Sequence, residues 1–139
     1  MNTNRILVGG IVGGVAFFFL GWLIWGAILM DYMAANCNQC MARPMDQMIW
    51  WALILSNLAW GFVLAIVFDW SNTSGWMEGA KKGAIFGLVT CLALDLGYYS
   101  MTTMFSSITA VIIDIVGMVV MVTIGGALIG WSMGMVSKK

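Results

Sequence analysis

The chain has no histidine, a single proline and few charges, with 9% of its 139 residues being Asp, Glu, Lys or Arg. Without histidine there is no imidazole base, no haem axial histidine and no His-based zinc site. No G-x-x-x-x-G-K-[ST] run occurs, which leaves out a phosphate-cradling loop. The six basic residues are scattered and make no nucleic-acid footprint. So small a charged fraction, beside 62% hydrophobic residues and a mean hydropathy of +0.96, excludes a water-soluble globule.

What the chain does have is four long apolar runs, about 6–30, 48–68, 80–99 and 108–133. Each reaches the ~20 residues that cross a ~30 Å hydrocarbon core. The first run follows Arg5 and is longer than the ~7–15-residue core of a secretory signal, so it is read as a retained helix. The expected fold is all-α, a single four-helix transmembrane domain over 1–139 forming an antiparallel bundle. Pro44 and Asp46 suit the first turn of the second helix, where proline lacks only a donor that needs no partner and a carboxylate meets the positive dipole end.

Basic residues near helix ends stay on the cytoplasmic side. In a four-span chain Arg5, Lys81, Lys82, Lys138 and Lys139 share one side and Arg43 lies on the other. Both termini are therefore expected in the cytoplasm, with the first and third loops outside, in a topology suited to a bacterial inner membrane. Trp22, Trp25, Tyr32, Trp50, Trp51, Tyr98 and Tyr99 gather toward the outer interface, and Trp70, Trp76 and Trp131 toward the inner one.

Glycine recurs every four residues in three of the helices. Gly9 and Gly13, with Gly10 and Gly14, stand in the first; Gly79, Gly83 and Gly87 in the third; Gly126, Gly130 and Gly134 in the fourth. Such spacing lets helix backbones approach closely. All three sets fall in the cytoplasmic halves, so the molecule is expected to be tight there and wider toward the outside. Two adjacent G-x-x-x-G pairs on the first helix exceed what one neighbour requires, which favours contact with other subunits.

Two acids lie within the apolar runs, where a charge is costly and usually functional. Asp95 precedes the end of the third helix and Asp114 follows the start of the fourth by similar distances. At ~1.5 Å per residue both sit about 9–10 Å below the outer surface. Asn57 in the second helix is slightly deeper, Cys91 shares the helical face of Asp95, and Tyr98 and Tyr99 stand nearby. Such a carboxylate pair can share a proton, bind a cation or hold a polar ligand; alternatively each acid is hydrogen-bonded as structural glue.

Cys37-Asn38-Gln39-Cys40 in the first outer loop forms C-x-x-C, a spacing that serves a disulfide, a redox centre or two metal ligands. Met30, Met33, Met41, Met45 and Met48 flank it, and thioethers with thiolates select soft ions such as Cu(I), although methionine is also an adaptable packing residue. The loop, with Arg43 after the pair, resembles that of the four-helix disulfide-forming membrane oxidases that pass electrons to quinone. That resemblance implies thiol-disulfide exchange at Cys37 and Cys40. Those oxidases carry a second cysteine pair in the other outer loop, and 100–107 contains none.

Gly21-Trp22-Leu23-Ile24-Trp25-Gly26, Gly79-Ala80 with Gly83 through Gly87, and Ile113-Asp114 with Gly125-Gly126-Ala127-Leu128-Ile129-Gly130-Trp131 make up a layout spread over most of the chain. This layout resembles a family of small bacterial four-helix membrane proteins grouped as a domain of unknown function. The resemblance implies a fold and no activity. The functional expectation is binding or transport of an ion or small solute at Asp95 and Asp114, lined by Asn57, Tyr98 and Tyr99. The alternatives are an accessory subunit of a larger membrane complex and a thiol-disulfide redox protein. No enzyme signature and no cofactor requirement is legible; the expected partners are the lipid bilayer and either further copies of the chain or other subunits.

Overall fold

A computed structural model describes residues 2–38 and 43–137. The described residues are helical except for turns, loops and one isolated bridge between Cys37 and Phe105. Helix α1 spans Thr3–Leu23 and runs into a π-helical turn, Ile24–Ile28, followed by the short helix α2, Met30–Asn36. A 3₁₀ turn, Met45–Gln47, precedes α3 (Trp50–Trp70); α4 (Trp76–Met101) and α5 (Ile108–Ser137) complete the chain. Four helical stretches, Thr3–Ile28, Trp50–Trp70, Trp76–Met101 and Ile108–Val136, are long and apolar enough to cross a membrane.

The helices leave much of their apolar surface facing outward. Leu7, Ile11, Val15 and Phe19 on α1, Ile85 and Val89 on α4, and Ile112, Val116 and Val120 on α5 are exposed. Glycine, Asp69, Thr73, Asp95 and Ser132 are inside. Large apolar side chains on the outside as well as in a core of Phe17, Leu64, Phe68, Ile129 and Met133 is the arrangement that lipid stabilises, because hydrocarbon sets no penalty on an exposed leucine.

The glycines set the order of the helices. Gly10 and Gly14 of α1 fit under Phe62 and Leu58 of α3, and Gly61 of α3 lies against the α1 backbone at Gly10 and Gly14. The other glycine row of α1 meets α5, Gly9 against Met133 and Gly13 against Ile129, while Phe17 covers Gly125. On α4, Gly79 faces Gly126 and Gly130, Gly83 faces Val122 and Gly126, and Gly87 faces Val122. All three pairings run in opposite chain directions. The helices thus succeed one another as α3, α1, α5, α4, with α3 and α4 barely meeting. The two glycine rows of α1 serve two neighbours inside the chain, so they do not require the external subunit that the sequence suggested.

Several boundaries differ from expectation. Pro44 and Asp46 belong to the separate 3₁₀ turn, not to the start of a long helix, because Met48 is extended and α3 begins only at Trp50. The stretch read as an outer loop contains α2, with Asp31 in its first turn. Helix α4 starts at Trp76, four residues before Ala80. Glu78 accepts a hydrogen bond from the Ser74 amide at 3.0 Å, which holds the charged first turn helical. Just before it, Gly75 has φ +99°, a conformation that L side chains rarely adopt. Its amide donates to the Gly130 carbonyl at 3.0 Å, fastening the turn to α5.

The end of the molecule that carries both the N-terminus and the α3–α4 turn is pinned by charge. Arg5 donates to the Thr73 carbonyl at 2.6 Å and lies 3.6 Å from Asp69, which also accepts from the Asn2 amide at 3.1 Å. Lys82 donates to the Ser71 carbonyl at 2.9 Å and pairs with Glu78 at 2.7 Å. At the opposite end the connection after α2 is stitched to the α4–α5 loop: the Asn38 amide donates to the Met104 carbonyl at 2.8 Å, and the Ser106 amide to the Asn36 carbonyl at 2.9 Å.

Candidate functional site

The π-helical turn positions the first component. Insertion of one extra residue into a helical turn replaces the usual bond with an i→i+5 bond, here from the Leu29 amide to the Ile24 carbonyl at 2.7 Å. The turn lies over Gly117 of α5, where a Cβ would crowd Ile24, Leu29 and Trp25 at 3.2–3.5 Å. From this position the Trp25 indole N–H donates to Asp114 Oδ1 at 2.6 Å. Trp25, grouped by sequence with the interfacial belt, is instead a partner of an intramembrane acid.

The second component is on α4. Cys91 and Asp95 are four residues apart and therefore on one face. The Cys91 thiol donates to Asp95 Oδ2 at 2.8 Å, and the two side chains are 2% and 7% exposed. Cys91 is held among Phe105, Ala110, Val111 and Ile115. Across the α4–α5 interface the donor atoms of Cys91, Asp95 and Asp114 lie within 4.8 Å of one another. Among the described residues, neither acid has a salt bridge to Lys or Arg. Two carboxylates so close in a low-dielectric interior repel one another unless a proton or cation lies between them. With two oxygens and one sulfur, the three residues could also supply part of a divalent-metal site.

Beside this cluster is a cavity of about 190 Å³. Asn57, Trp60 and Leu64 of α3 form one wall, and Phe86, Thr90 and Asp95 of α4 the other. Phe17 of α1 and Met118, Met121 and Val122 of α5 form its floor. It occupies the space left where α3 and α4 barely meet. Its lining is aromatic and aliphatic except for Asn57, Thr90, Cys91 and Asp95.

The residues singled out from sequence are distributed unevenly around this site. Asp95 and Asp114 come together; Asn57 lines the cavity, although its amide nitrogen donates to the Leu53 carbonyl at 2.8 Å. Tyr98 and Tyr99 are 48% and 39% exposed, and neither lines the cavity. Cys37 lies near the cluster: its thiol donates to Met33 Sδ at 3.8 Å, and burial, then the charge of Asp114, push it above the usual thiol range. Cys40 and Met41 fall outside the described residues, so the Cys37/Cys40 pair has no geometry here. Met30 and Met45 are exposed, at 51% and 60%.

The residues that sequence reasoning missed are Trp25, Trp60, Phe86 and Thr90, with Cys91 noted only as a facial neighbour of Asp95. The i,i+4 relation of Cys91 to Asp95 was a usable signal. Trp25 offered none, because its direction depends on the π-helical turn.

No protein family, curated protein or solved structure matches the chain. The site therefore rests on its own geometry.

Proposed function

We propose that this chain is an integral membrane protein that binds, and moves across the bilayer, a cation or a small solute with a cationic or polar end at the Asp95–Asp114 pair. The reading includes an antiparallel arrangement in the membrane with both termini in the cytoplasm and the Cys37 loop outside, as expected in a bacterial inner membrane. The observation that carries it is the meeting of two intramembrane carboxylates and a thiol within 4.8 Å, beside a cavity. Asp95 and Asp114 take the charge, Trp25 orients Asp114, Cys91 orients Asp95, and Asn57 supplies a polar contact from α3.

The two alternatives have less support. The glycine stripes meet helices of the same chain, which removes the feature that favoured an accessory subunit. A thiol pushed upward carries less thiolate at neutral pH, the reverse of what activates a redox cysteine.

The test uses the chain reconstituted in vesicles that hold a pH-sensitive dye. Na⁺, K⁺, Mg²⁺, Zn²⁺ and the organic cation benzyltrimethylammonium are added in turn, and proton movement is compared with that of the Asp95→Asn/Asp114→Asn double variant. Cation-driven proton movement by the native chain that falls to the level of protein-free vesicles in the variant is the expected result. Identical behaviour of native chain and variant with every cation overturns the proposal.

A further inference from the structure

The cavity narrows the ligand class. A site for a hydrated inorganic ion needs polar atoms on several sides, whereas this cavity is walled by Phe17, Trp60, Leu64, Phe86 and Met121, with its polar groups at Asn57, Thr90, Cys91 and Asp95. Its volume of about 190 Å³ is that of a compact ring compound, since a cavity of about 150 Å³ holds benzene. One lining residue carries a carboxylate, Asp95, 7% exposed and without a basic partner among the described residues. The aromatic rings of Phe17, Trp60 and Phe86 add faces that attract a cation as well as an apolar body. The cavity lies between α3 and α4, whose flanking positions Trp60 and Leu94 are 44% and 45% exposed. A ligand reaching it between those helices comes from the lipid.

From these features we infer that the ligand is a small lipophilic organic monocation, an aryl-substituted ammonium compound in chemical class, entering sideways from the bilayer between α3 and α4. Its apolar body fills the space among Phe17, Trp60 and Phe86, and its positive centre pairs with Asp95. The second carboxylate, Asp114, held by Trp25, lies close enough to add to the attraction without touching the ligand. The inference rests on the proposed cation-binding role of the acid pair and specifies what that pair recognises.

Benzyltrimethylammonium and neopentylbenzene separate charge recognition from apolar filling, since they share one shape and differ by a nitrogen cation in place of a carbon. Each is titrated into the full chain in lipid nanodiscs, with protein-free nanodiscs subtracted. Saturable binding of the ammonium compound is expected, at least about tenfold tighter than binding of its neutral counterpart. Asp95→Asn should lower the ammonium affinity by about tenfold or more, and Asp95→Glu should keep most of it. Retained helical circular dichroism in both variants ties the loss to charge, not to unfolding. Equal binding of the two compounds, or ammonium binding that Asp95→Asn leaves unchanged, overturns the inference. If the ammonium compound does not bind while inorganic cations still drive proton movement that depends on Asp95 and Asp114, the inference falls and the broader reading stands.

Discussion

Helices α4 and α5 meet in two different ways along their length. Toward the end that carries the N-terminus, Gly79 and Gly83 face Gly126 and Gly130, and the backbones approach so closely that a Cβ on Gly126 would stand 2.6 Å from the Gly79 carbonyl. Toward the other end the same helices present Cys91, Asp95 and Asp114, with the π-helical turn lying over Gly117. The first region gains its cohesion from close packing of small residues, which needs no partner of a different chemistry. The second contains groups that are costly in lipid and are hydrogen-bonded to one another and to Trp25. A helix pair held firmly at one end can keep a polar cluster at the other without coming apart.

The largest expected effect comes from opening the glycine end. Gly126→Val would set branched carbon against the Gly79 backbone, and should cost about 3 kcal/mol in reversible unfolding followed in mixed micelles. If stability is unchanged, the seam is not what holds α4 to α5. A smaller loss is expected at the polar end, where Trp25→Phe removes the hydrogen bond to Asp114 and should cost about 1–2 kcal/mol in the same assay. A loss as large as that of Gly126→Val would mean that the two ends contribute alike and would erase the contrast. The smallest effect, and of opposite sign, is expected at Gly97, which has open space around its Cα and sits in the last turns of α4. Gly97→Ala should stabilise by about 0.5–1 kcal/mol through helix propensity, with no change at the acid cluster.

The glycine end was largely legible in the sequence, because a spacing of four residues states which side of a helix is small and needs no knowledge of the partner. What it left open was the partner itself: the double row on α1 is divided between α3 and α5, a fact that depends on the order of the helices. Gly61, the reciprocal glycine on α3, has no repeat around it and stood out only once the pairing was known. At the polar end, equal depth was enough to bring Asp95 and Asp114 into one plane, and the pair met because their helices are direct neighbours. Tyr98 and Tyr99 were inferred from proximity along the chain, but they follow Asp95 by three and four residues near the helix end, where the side chains are exposed. Trp60 and Phe86 belong to two helices that scarcely touch, so no local pattern could join them across the cavity they line.

The π-helical turn at Ile24–Ile28 has a consequence for how this chain tolerates change in length. Such a turn holds one residue more than a regular helix would, so a single deletion between Leu23 and Leu29 should repair the hydrogen-bond ladder and leave α1 an ordinary helix. The repaired chain would keep the segments on either side of the turn in register, since the bulge is what absorbs the extra residue, but the residues inside it would be redistributed about the helix axis. The indole of Trp25, which lies inside the turn, would lose its direction toward Asp114, while the connection after α2 would keep its bonds to the α4–α5 loop. At this place the chain keeps a less regular helix, and what it keeps with it is the alignment of one acid.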